Sequence, residues 1–175
     1  MRVIADLHIH SRFSRATSEK MNIDEITRFA RIKGLNLIGT GDFTHPRWLE
    51  ELREKLVEIP DTNLYGYARD PDFPVRYMIT SEVSTIFTFE NEAKKIHHVV
   101  LTPSLETAVQ INERLARYGN LAADGRPTLD MSASQLVEEV MEVSKKNVVI
   151  PSHAWTPWFS IFGAFSGFNR VEDCY

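Results

Sequence analysis

Hydrophobic and polar positions along the chain alternate between short apolar runs and stretches of helical period. Arg2 to Ile9 is short and apolar-rich and predicts a strand. Asn22 is placed to cap a helix, with Glu25 three residues on as its capping-box partner. Ile23, Ile26 and Ala30 mark one face of that helix and Gly34 ends it. Leu35 to Gly39 predicts a second strand. Pro46 opens a helix whose face is Leu49, Leu52 and Leu56. From Pro60 to Pro74 the pattern dissolves into Pro, Asp, Asn, Gly and Tyr, and predicts a long loop. Arg76 to Val83 and Lys95 to Leu101 predict the third and fourth strands. A helix follows over Ser104 to Tyr118, with Leu105, Ala108, Val109, Asn112 and Leu115 at or near the core. Gly119 to Met131 is polar and predicts a loop. Ser132 opens a helix with Leu136, Val137, Val140 and Met141 inward, and Val148 to Ile150 is the fifth strand. Alternation of this kind predicts an α/β protein with a parallel sheet, open or closed as a barrel.

Composition narrows the class. The chain has 175 residues, 43% apolar and 25% charged, which fits one globular domain and not a disordered one. The single cysteine, Cys174, excludes an internal disulfide framework and points to a reducing compartment. No apolar run is long enough to span a bilayer, and the N-terminus has no signal-peptide core, so a cytoplasmic location is expected. The net charge of −4 excludes coating of nucleic acid by bulk charge. It leaves room for an enzyme with a local basic groove or with bound cations. After the fifth strand no helix covers the sheet, and the chain is expected to continue beyond Tyr175.

The chemistry gathers at predicted strand ends. His8, His10, His45, His97, His98 and His153 all lie there, as do Asp6, Asp42 and Glu82. In parallel α/β folds that rim is where ligands converge. Residues two apart in a strand point the same way, so His8 and His10 can grip one cation. Glu82 can bridge two. Neighbours in a strand face opposite ways, so only one of His97 and His98 can readily join such a cluster. Imidazole and carboxylate without thiolate suit zinc, manganese or iron. Clustered cations of this kind ionise a bound water and hold phosphoryl oxygens during in-line displacement.

The ordered set His8-x-His10, Asp42, Glu82, His98 and His153 resembles the PHP (polymerase and histidinol phosphatase) superfamily. That resemblance implies a distorted β/α barrel, seven-stranded in the family, of which this chain would be the N-terminal part. It implies a centre of two to three zinc or manganese ions that cleaves phosphoesters. By the same resemblance His8 and His10 serve the first ion, Glu82 bridges, and His98 with His153 serve the second. Asp42 or His45 is the candidate for a third, because Thr40-Gly41-Asp42-Phe43-Thr44 departs from the usual Thr-Asp-His-Asp. Glu82, His10 and His153 are the catalytic candidates. A late Asp-x-His of the family is expected beyond Tyr175.

The longer stretches His10 to Arg15, Gly41 to Pro46 and Ser152 to Trp158 resemble archaeal endonuclease Q. This implies a DNA-repair nuclease that nicks 5′ of a deaminated base, uracil or hypoxanthine, or of an abasic site. It also implies damaged DNA as partner and, through parts outside this chain, a sliding clamp. Arg12, Arg15, Lys20 and Arg47 follow the metal motifs and are candidates to hold flanking phosphates, or lie in solvated loops. Trp155 and Trp158 are placed either to stack on an extruded base or to pack. Phe162 to Phe168 is expected to pack. The competing readings are a small-molecule phosphoesterase of the histidinol-phosphatase type and a non-catalytic metal-binding scaffold module.

Overall fold

The structure is a computed structural model and describes every residue except Met1 and Ser166. Among the described residues, eight strands form one mixed sheet that does not close, and four α-helices pack against it. Strand β1 (Ala5–Asp6) runs parallel to β2 (Leu37–Gly39), and β2 runs parallel to β5 (Arg76–Phe89). Helices α1 (Ile23–Ile32) and α2 (Pro46–Lys55) make the crossovers around β2. This part follows the βαβ alternation of the sequence.

The rest corrects the expectation of a parallel sheet. β5 and β6 (Glu92–Thr102) pair antiparallel from Ile79↔Thr102 to Phe89↔Glu92. Only Glu90 and Asn91 join them, at φ of 50° and 65°. Two left-handed central residues make the tight turn whose twist suits an antiparallel hairpin. β8 (Val148–Pro151) is antiparallel to β6, while β7 (Thr128–Asp130) is parallel to β5. The expected loop from Pro60 to Pro74 also differs. β3 (Leu56–Ile59) and β4 (Leu64–Tyr67) form a hairpin there, and Tyr65 pairs with Tyr77 of β5. Tyr65 and Gly66 are buried, which the turn-rich composition of the segment concealed.

The helices begin where capping chemistry places them. Asn22 accepts from the Glu25 backbone N–H at 3.0 Å. The Glu25 carboxylate, expected to close the box, pairs with Arg28 instead. Ser104 caps α3 (Leu105–Leu115), and Ser132 with Gln135 forms a full capping box on α4 (Ala133–Val143). The main core joins the apolar faces of all four helices to the sheet, with Trp48, Tyr77, Leu52 and Ile111 fully buried. Trp48 also serves the loops above the sheet, because its indole N–H donates to the Gly41 carbonyl at 2.8 Å. A second, smaller cluster holds Ile96, Ile161, Phe168 and Cys174 beside the last strand.

Candidate metal centre

Glu82 lies in the middle of β5 and is 1% exposed. Strand alternation decides what surrounds it. Residues paired across an antiparallel ladder share a face, and residues two apart share it too. His97 pairs with Ser84, two residues from Glu82, so His97 and Glu82 look the same way. His97 Nδ1 stands 3.4 Å from Glu82 Oε1. His98 pairs with Val83 and looks the other way. There its Nε2 meets Thr85 Oγ1 at 3.0 Å and its Nδ1 meets the Tyr175 hydroxyl at 2.8 Å. Burial, with the nearby His97, pushes the His98 pKa down to about 3. The expectation of His98 as a metal ligand is therefore corrected: His97 is the member of the pair that faces the centre.

The other donors arrive from strand ends. His8 and His10 follow β1, and their Nε2 atoms lie 3.2 Å from Glu82 Oε1 and 3.2 Å from Oε2 respectively. His153 follows β8 with φ of 29°, a conformation a β-carbon resists. Its Nε2 is 3.3 Å from Glu82 Oε1 and 3.2 Å from His97 Nδ1, while its Nδ1 meets Thr156 Oγ1 at 2.9 Å. Two groups of donors result, His8–His10–Glu82 and Glu82–His97–His153, and they share Glu82.

Asp42 takes a different place from the one expected. It is fully buried at φ of 49°, and its Oδ1 is 3.0 Å from His10 Nδ1. Its Oδ2 accepts from the Ser11 backbone N–H, from Ser11 Oγ and from Ser14 Oγ at 2.7, 2.7 and 2.9 Å. Both oxygens are thus occupied, and Asp42 reaches the centre only by fixing the tautomer and direction of His10. Gly125 packs against this group so closely that a β-carbon would stand 2.3 Å from Asp42 Oδ2. His45 is also outside the centre: it precedes α2 and stacks on Phe13 at 4.3 Å.

The donors fit divalent cations. Two ligand atoms at 2.0–2.2 Å from one ion, in tetrahedral or octahedral array, lie roughly 3–3.5 Å apart. The nitrogen–oxygen separations of 3.2 to 3.4 Å fall in that range. Glu82 Oε1 is buried and accepts no aligned hydrogen bond, although three imidazoles surround it. A cation or an ordered water satisfies a buried carboxylate oxygen in that condition. Burial opposes the charge on Glu82, but His10, His8 and His97 hold its carboxyl well below the usual range. Burial likewise opposes the charge on His10, and Asp42 and Glu82 outweigh it, raising its pKa to about 9.

A cavity of about 600 Å³ opens beside the donors, lined by Arg15, Ser84, His97, Asn120, Arg126, His153 and Phe159 among others. Arg15, expected near phosphates, is there, highly exposed and 3.4 Å from Asp124. Arg12 and Arg47 line a separate polar cavity with Glu50, Glu51 and Glu54, and Arg12 pairs with Glu51 at 2.5 Å. Trp155 and Trp158 are exposed; Trp158 stacks on Phe165 at 4.2 Å. The ring that lines the cavity is Phe159, stacked on His97 at 4.6 Å. Sequence reasoning missed Arg126, and between the adjacent histidines it chose His98 over His97. Hairpin register with Glu82 was the signal for His97.

Fold and centre define an α/β protein with a histidine–carboxylate cluster whose donor spacing fits divalent cations. Its fold is that of endonuclease Q, as the resemblance to an endonuclease Q-like PHP-type fold implied. The crystal structure of the lesion-specific endonuclease Q from Pyrococcus furiosus matches with a TM-score of 0.81 and 30% identity, over 99% of this chain and 39% of that one. A structure of endonuclease Q with a 27-mer duplex substrate, an abasic lesion at its active site, matches with TM-score 0.81 and 31% identity, over 99% and 40%. An uncharacterized protein of Methanocaldococcus jannaschii is 32% identical over 169 residues, 96% of this chain and 18% of that protein. No family model matches the chain. The chain thus spans about two-fifths of the solved endonucleases and 18% of the curated relative.

Proposed function

We propose that this chain carries the metal centre of a DNA-repair endonuclease. The reaction is hydrolysis of the phosphodiester 5′ of a deaminated base, uracil or hypoxanthine, or of an abasic site. One observation carries the reading: Glu82 Oε1, buried and unsatisfied among His8, His97 and His153, in the fold of a lesion-specific endonuclease. His8, His10 and Glu82 would hold one zinc or manganese ion, and Glu82, His97 and His153 a second. Bound there, such ions supply an acidic water and draw charge from phosphoryl oxygens.

The chain's own residues do the rest. Asp42 orients His10, and Thr156 orients His153. Burial lowers the His153 pKa, which favours the neutral ring that a ligand needs. Arg15 stands at the cavity mouth to meet a flanking phosphate, and the exposed faces of Trp155 and Trp158 can stack on unpaired bases. In this reading the chain is part of a larger metallo-phosphoesterase domain, and damaged DNA is its partner.

The test is a single-turnover nicking assay of the full gene product on duplexes with uracil, hypoxanthine or an abasic site, beside an undamaged duplex. Nicking of a lesion duplex should require Mn²⁺ or Zn²⁺ and stop with chelator. Glu82→Gln should slow it by about 100-fold or more, roughly 2.7 kcal/mol in barrier, with duplex binding changed only a few-fold. Turnover of p-nitrophenyl phosphate without nicking of any duplex would instead mark a small-molecule phosphoesterase.

A further inference from the structure

Arg126 is the residue at this centre that a set of metal ligands does not explain. Its Nη1 donates to Glu82 Oε2 at 3.2 Å, the same oxygen that His10 Nε2 approaches at 3.2 Å. A guanidinium has no lone pair to offer an ion and does not deprotonate in proteins. A divalent cation on Glu82 would therefore meet a fixed positive charge at hydrogen-bond distance, in a site where charges are poorly screened.

The surrounding backbone is firm. The Gly125 N–H donates to the Phe13 carbonyl at 2.9 Å, and the Ser84 N–H donates to the Pro127 carbonyl at 2.9 Å. The Arg126 N–H donates to Asp124 Oδ1 at 2.9 Å. The side chain itself is 32% exposed and lies along the wall of the 600 Å³ cavity beside His97 and His153. A long side chain on an anchored base, at the border of an open cavity, can turn without disturbing the fold.

We propose that Arg126 is an internal counter-cation of Glu82 that competes with divalent ions for it, and that from the wall of the cavity its guanidinium holds the scissile phosphate when DNA is bound. The phosphate half rests on the nuclease reading; the counter-cation half does not. A planar guanidinium matches two phosphate oxygens at once, whereas an ammonium meets them as a point charge. Arg126 is thus a phosphate-binding and positioning residue, and it differs from Arg15, whose highly exposed side chain lies farther out.

Two titrations on the full gene product test this, with Arg126→Gln and Arg126→Lys beside the wild type. The first is calorimetric titration of Mn²⁺ without DNA. Arg126→Gln should bind Mn²⁺ about three- to tenfold more tightly, because the competing charge is gone. Arg126→Lys should stay near wild type. The second is binding of an abasic duplex with a phosphorothioate at the scissile linkage, which slows hydrolysis, over a range of salt. Arg126→Gln should lose roughly tenfold in affinity, and the slope of log K against log salt should fall by about 0.9, one phosphate contact. Arg126→Lys should keep the slope and lose part of the affinity. Unchanged or weaker Mn²⁺ binding in Arg126→Gln would overturn the counter-cation role, and an unchanged salt slope would overturn the phosphate contact. A wild type that binds Mn²⁺ but no duplex would overturn the nuclease reading and the phosphate role together, while the Mn²⁺ titration would still decide the first half.

Discussion

His97 and His98 are chemically alike and adjacent, yet a single strand step separates their work. His97 faces Glu82 at 3.4 Å, and His98 is fully buried between Thr85 and Tyr175. Their substitutions should therefore fail in different ways. His97→Ala should lower metal affinity by at least tenfold, read by titration and metal analysis, and leave the metal-free melting temperature nearly unchanged. His98→Ala should keep the metal content and cost about 2–4 kcal/mol, because it opens a cavity and removes a hydrogen-bond partner from Thr85 and from Tyr175. If His98→Ala lost the metal and kept its stability, the face assignment would be wrong. The six histidines, Asp42 and Glu82 could all be picked out in the sequence as the chemistry-bearing set. Which face each used could not, because that depends on a register set by a two-residue turn at Glu90 and Asn91.

At the scale of elements, the βα units through α2 were legible because Asn22 caps α1, Pro46 opens α2, and both helices carry an apolar stripe. The β3–β4 hairpin was not, since Tyr65 and Gly66 are buried by pairing with β3 and β5 and not by a hydrophobic alternation of their own. What ties that hairpin down is polar. Tyr67 Oη donates to Asp24 Oδ1 at 2.5 Å, and Lys55 and Arg69 approach Oδ2 at 3.5 and 3.4 Å. Asp24 thereby joins α1, α2 and the strand after them. Burial alone would raise its pKa, but Tyr67, Lys55 and Arg69 lower it. A carboxyl whose pKa is lower when folded stabilises the protein above its unfolded value of about 3.9, and the gain fades as pH falls through the folded pKa. Asp24→Asn should cost about 1 kcal/mol near pH 7, discounted for its partial exposure, and the gap from wild type should close below about pH 4. Urea melts at pH 7 and pH 3 decide it; an equal gap at both would mean that the carboxylate charge contributes nothing.

Over the whole molecule, charge and folding meet at the centre. The chain carries a net charge of −4, so its long-range field repels DNA. In the nuclease reading local cations offset that repulsion, with Arg15 at the cavity contributing beside any ions held there. The same ions would tie together three parts of the sheet: the end of β1 through His8 and His10, the β5–β6 hairpin through Glu82 and His97, and the end of β8 through His153. These join segments far apart in sequence, and the unfolded chain cannot present them as one site. A cation that binds only the folded state stabilises it by about 2.7 kcal/mol at 100 times its dissociation constant. For a domain of this length that corresponds to a rise in melting temperature of roughly 5–10 °C. Addition of Mn²⁺ or Zn²⁺ to chelator-treated protein should give such a rise, and Ca²⁺, which prefers an all-oxygen shell, should give much less. Glu82→Gln should abolish most of the rise, since it weakens both donor groups at once, whereas His8→Ala should leave the group of Glu82, His97 and His153 and retain part of it. Differential scanning calorimetry on these proteins distinguishes a shared carboxylate from two independent sites: equal losses in the two variants would show that Glu82 does not join them.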